Sequence, residues 1–93
     1  MKPEEKRQLV EKALKSENPD ALYMDGHDIA IIGIAQKSQH PPVVAYSEAQ
    51  IIDNLMSWGM CHEEATEYYY FNIVGAWLGP EMPIIVTELS SLL

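Results

Sequence analysis

The chain has 93 residues, enough for one domain with a hydrophobic core and little more. Six Lys and Arg against fourteen Asp and Glu give a net charge of −8, which argues against nucleic acid and other phosphate-rich ligands and favours a basic protein surface as partner. A single cysteine, Cys61, excludes an internal disulfide framework, and no apolar run is long enough to cross a bilayer, so the expectation is a reducing cytoplasm and no membrane partner.

The charge is unevenly spread. Residues 1–17 carry five of the six basic side chains beside four glutamates, a net of +1, whereas residues 18–93 keep only Lys37 against ten acids, a net of −9. From Pro3 to Lys15 the pattern predicts an amphipathic helix with a narrow stripe of Leu9, Val10, Ala13 and Leu14. So thin a stripe should dock weakly or fray, and the chain divides into this helix (1–17) and a single α+β domain (18–93). Asn18-Pro19 has the form of a cap and first position for a short helical turn through Leu22 or Tyr23.

Met24-Asp25-Gly26-His27-Asp28 is a polar turn with Gly26 at positive φ. Ile29 to Ala35 follows as a strand apolar on both faces, hence central or covered on both sides, with Gly33 marking a bulge or the close approach of another backbone. Gln36 to Pro42 reads as a loop, and Val43 to Tyr46 as a second strand antiparallel to the first. Ser47-Glu48-Ala49-Gln50 is a capping box that opens a helix with Ile51, Ile52, Leu55 and Met56 inward.

A second box, Cys61-x-x-Glu64, opens a helix from Glu63 to Leu78. From Tyr68 onward it is apolar around its whole circumference, which predicts enclosure by the fold or by a second chain. Gly79-Pro80 stops it. Ile84 to Thr87 is a short β-branched strand, and Leu92-Leu93 end the chain as a docked cap or a frayed tail. The expected architecture is α+β: a three-stranded, mostly antiparallel sheet packed against the two middle helices, with a further N-terminal amphipathic helix. The second sheet face needs that first helix or another subunit, which leaves room for a homodimer.

Chemistry has few places to sit. Asp25, His27 and Asp28 offer two carboxylates and an imidazole before a strand, the raw material for a metal site or acid–base work. The plainer reading is an aspartate turn bonded to its own backbone, with His27 solvated. Asn72 lies in line with Gly75, Ala76 and Gly79, where small residues would let another backbone, a second subunit or a ligand approach a buried amide. Trp77 is grouped with it as a candidate binding residue. Cys61 and Ser47 are explained as caps, and no phosphate loop, paired-cysteine site or nucleotide fingerprint points to a cofactor.

Taken together, Asp25-Gly26-x-Asp28-x-Ala30-Ile31-Ile32-Gly33, Tyr46 with Ile51-Ile52-x-x-Leu55, Glu63-Glu64-Ala65, and Phe71-Asn72-x-x-Gly75-Ala76-Trp77-x-Gly79 form a pattern. It resembles a group of short uncharacterised proteins encoded by tailed bacteriophages, over Leu22 to Val86. That group often carries Thr where this chain has Cys61, in keeping with a capping role. The resemblance implies a phage accessory protein in a bacterial cytoplasm and supplies no reaction.

The reading that follows is a non-catalytic protein that binds a host or phage protein, such as an inhibitor of a host system. One alternative is a small-molecule binder for a nucleotide signal, with Asn72, Trp77, a tyrosine and Lys37 lining a pocket. The other is a metal-dependent hydrolase built on Asp25, His27 and Asp28.

Overall fold

Two strands joined by a two-residue turn frame the molecule, in a computed structural model that describes residues 1–76 and 78–93. β1 (Ile31–Lys37) pairs antiparallel with β2 (His40–Ser47), and Lys37 opposite His40 closes the hairpin over Ser38 and Gln39, the latter at φ 57°. The loop expected over Gln36 to Pro42 is therefore mostly strand. Register explains how two prolines fit there: Ala35 faces Val43 and Lys37 faces His40, so Pro41 and Pro42 together oppose Gln36. Residues that lack an N–H sit where the ladder is already interrupted. A second irregularity falls between Ile31 and Gly33, where Ile32 is the extra residue, beside the glycine that marked the bulge.

β3 (Ile84–Val86) runs parallel to β2 on its other side, Ala45 facing Ile84 and Ser47 facing Val86, so the order is β1-β2-β3. The sheet is mixed and the fold is α+β. The strand expected to be central, Ile29 to Ala35, is instead an edge: its first residues form a 3-10 turn (Asp28–Ala30), and Ile32 is 40% exposed. β2 is the central strand, buried from Pro42 through Ser47. An apolar run does not distinguish a strand covered on both faces from an edge strand with an apolar neighbour.

Alternate residues of β2 serve different sides. Val44 and Tyr46 join Ile31 in a core closed by α1 (Pro3–Leu14) through Val10 and Leu14, by α2 (Glu48–Ser57) through Ile51 and Leu55, and by α3 (His62–Tyr69) through Ala65 and Tyr69. The thin stripe of α1 is thus part of the main core. Burying a Val or Leu of this kind contributes about 1.5–3 kcal/mol. Leu9 and Ala13 of the same stripe remain exposed, as does Met56 of α2.

Helix starts behave as their sequences direct. Ser47 has extended backbone angles and its Oγ accepts from the Gln50 N–H at 3.2 Å, while Glu64 accepts from the Cys61 N–H at 3.2 Å. Ser47 is fully buried, and its hydroxyl also donates to the Glu88 carboxylate, which ties the segment after β3 to the β2–α2 junction. Beyond that tie, Leu89, Leu92 and Leu93 are exposed.

The long helix expected from Glu63 to Leu78 is not formed. Regular α-helix ends at Tyr69, and Tyr70–Val74 make a π-helical turn in which the Gly75 N–H donates to the Tyr70 carbonyl, five residues back, at 3.1 Å. Nor is the segment enclosed. Tyr68 is 41% exposed, Tyr70 54%, Phe71 82% and Val74 47%. A helix presents only one stripe to a single sheet-and-helix core, and Ala65 with Tyr69 fill that stripe. Tyr68, Tyr70 and Phe71 are left outside.

Candidate functional site

The Asp25–Asp28 turn leads into a 3-10 turn that packs against both α1 and α2. Gly26 adopts φ +82°, and a methyl group in place of its hydrogen would stand 3.2 Å from two ring atoms of Trp58. His27 is buried, which corrects the solvated histidine expected from sequence. Its ring lies 5.0 Å from that of Trp58, and its Nδ1 is 3.1 Å from the Asn54 amide nitrogen, which also donates to the Gly26 carbonyl at 2.8 Å. Burial pushes the His27 imidazole below its usual range, against the opposing pull of the Asp28 carboxylate.

Asp28 is committed to Arg7 at 3.2 Å. The Arg7 guanidinium sits 3.8 Å over the Tyr23 ring, and Lys6 Nζ donates to the Ile29 carbonyl at 2.6 Å. Asp25 is exposed. His62, Glu63, Glu64 and Glu67 are not drawn to this turn, and among the described residues no group of three or more His, Cys, Asp or Glu is placed to hold a metal ion. Asp28 and His27 have structural partners already, and those contacts set the packing of α1 and α2 on the turn.

Three further polar nodes were missed from sequence. Asn18, expected to cap a short helix, is 4% exposed and heads none. Its amide nitrogen donates to the Pro42 carbonyl at 2.8 Å and to Glu81 at 2.7 Å, while the other Glu81 oxygen lies 3.4 Å from His40 Nε2. This clasp joins the end of α1, the hairpin and the loop before β3. The Tyr46 hydroxyl, fully buried, accepts from the Met24 N–H at 2.9 Å, and burial pushes it up to about 12. Tyr69 donates to Glu48 at 2.8 Å, and burial followed by that carboxylate raises its hydroxyl further. Neither phenol is poised to exchange a proton near neutrality.

Asn72 is not buried. It lies on the exposed π-helical turn, and its side-chain nitrogen folds back to the Tyr68 carbonyl at 3.2 Å rather than reaching β1 or the Asp25–Asp28 turn. The predicted line runs through Tyr68, which is itself 41% exposed, so the helix face that carries Asn72 is turned to solvent. Trp77, the other candidate grouped with it, lies outside the described residues.

The exposed surface that stands out is this turn with the outer face of α3. Met60, Glu64, Glu67, Tyr68, Phe71 and Asn72 line an open cleft of about 340 Å³. Glu63, Glu64 and Glu67 all project from α3 into solvent. Hydrogen bonds from the Cys61 side chain, then from its backbone, lower the Glu64 carboxyl and keep it ionised. Aromatic residues left exposed on a helix, rimmed by fixed negative charge, have the composition of a protein-docking patch.

Comparison of the chain with protein families, with curated proteins and with solved structures finds no match.

Proposed function

We propose that this protein is a non-catalytic accessory factor, of bacteriophage origin and acting in a bacterial cytoplasm, that binds a host or phage protein through the Tyr68–Val74 turn. An inhibitor of a host system is the role that fits a small acidic binder of this kind. The observation that carries the reading is Phe71, a large apolar side chain 82% exposed on a π-helical turn flanked by Tyr68 and Tyr70. Leaving such a cluster in water is unfavourable unless something covers it. The net charge of −8 favours a basic surface as that cover. In support, no helix among the described residues is long and apolar enough to cross a membrane, and the Asp25, His27 and Asp28 side chains do not converge on one reacting point.

The test is affinity capture from a bacterial lysate with the wild-type chain and with Phe71→Ser. The expected result is a discrete partner retained by the wild type, released progressively as salt rises, and absent with the variant. A partner held equally by both proteins would move the interface elsewhere. Capture of nothing at all, together with thermal stabilisation by a nucleotide or a divalent ion, would replace the protein-binding reading with a ligand-binding one.

A further inference from the structure

We infer that the cleft on the α3 face receives a cationic side chain of the bound protein, an arginine foremost; the inference rests on the docking reading above and specifies its anchor. Met60, Glu64, Glu67, Tyr68 and Phe71 recur at intervals of three and four residues, so they form one stripe along α3 that runs onto the π-helical turn. The stripe offers two carboxylates, two aromatic rings and a thioether. Asn72 adds an amide oxygen, since its nitrogen is turned to the Tyr68 carbonyl. No residue that lines the cleft is basic.

The chain's own cations are placed elsewhere. Arg7 pairs with Glu11 and Asp28, Lys6 is bonded to the Ile29 carbonyl, and Lys37 is bonded to the Pro80 carbonyl. Glu67 enters no side-chain hydrogen bond or ion pair among the described residues, so its carboxylate is free to meet a charge from outside. A guanidinium matches the whole set: it is planar and weakly hydrated, it stacks on aromatic faces, and its donors fit carboxylates in pairs. An anionic group would meet Glu64 and Glu67 at close range, which sets phosphate ligands aside. A second copy of this chain carries eight negative charges in net and would be repelled on approach.

The experiment uses the full chain, labelled with ¹⁵N, titrated with a capped peptide bearing arginines along one helical face and with the same peptide carrying neutral citrulline at those positions. The expected result is a saturable shift of the Glu67, Tyr68 and Phe71 amide signals with the arginine peptide and none with the citrulline peptide. Phe71→Ala and Glu67→Gln should each weaken binding by roughly threefold to tenfold, with unchanged spectra for the core residues. Equal binding of the two peptides, still lost in Phe71→Ala, would overturn the cationic anchor and leave the turn as an apolar docking surface. Arginine-dependent shifts that ignore Phe71→Ala and spread over the acidic surface would also overturn it, as would no binding, or self-association of the chain through the turn.

Discussion

The Asn54 amide nitrogen donates at once to the Gly26 carbonyl (2.8 Å) and to His27 Nδ1 (3.1 Å). Because a backbone carbonyl can only accept, Gly26 fixes which way the Asn54 amide faces, and the NH₂ group must then also face the imidazole. His27 Nδ1 is therefore an acceptor, and the ring is neutral with its proton on Nε2. Protonating Nδ1 would set two donors against each other in a buried joint.

A pH dependence with a definite sign follows. The folded-state value of His27 lies below its unfolded one, so between the two values the unfolded chain holds the extra proton and stability rises with pH. The contribution is complete above the unfolded value, about 6.5, and is lost as pH falls through the lower folded one. Urea unfolding at pH 7.5 and at pH 5.5 should show a lower midpoint at the acid pH, and His27→Gln should remove most of that difference. A ¹⁵N spectrum at neutral pH should report the Nε2-protonated tautomer.

Gly26 is held in place by two requirements at once. At φ +82° an L side chain is strained by roughly 1–2 kcal/mol, and the added methyl would press on the Trp58 ring at 3.2 Å. Gly26→Ala should lower stability by about 2 kcal/mol or more and shift Trp58 fluorescence in the folded state. An unchanged emission spectrum would mean that the ring does not lie over this turn.

Asn18 and Asn72 make a matched pair of controls. Asn18→Ala leaves the Pro42 carbonyl and the Glu81 carboxylate without their buried donor, a loss of about 1–3 kcal/mol. Asn72→Ala removes only an exposed bond to the Tyr68 carbonyl and should stay within about 0.5 kcal/mol of wild type. Thermal melts of the two variants side by side give the comparison.

At the β2–α2 junction, Ser47→Ala removes an N-cap acceptor and the donor to Glu88 together. The expected loss is about 1–2 kcal/mol. Amide exchange should quicken first in the opening turn of α2 and in the segment after β3, since the one hydroxyl serves both. Protection lost in α2 alone would mean that Glu88 does not hold the tail.

The sequence determined what depends on near neighbours. The cap at Ser47, the Glu64 bond to the Cys61 N–H, the positive φ at Gly26, the irregularity beside Gly33 and the antiparallel pairing of β1 with β2 are all local consequences of residue type. The α+β class followed from the alternation of such segments. Tertiary structure decided which apolar residues found cover. One sheet-and-helix core accepts one stripe of α3, so Ala65 and Tyr69 went in while Tyr68, Tyr70 and Phe71 stayed out. It likewise chose β2 over β1 as the central strand and buried Asn18 and His27, because the carbonyl, carboxylate and amide donor that satisfy them arrive from residues between 24 and 63 positions away along the chain. Local pattern measures how apolar a segment is; only the packed chain fixes which surface remains to meet a partner.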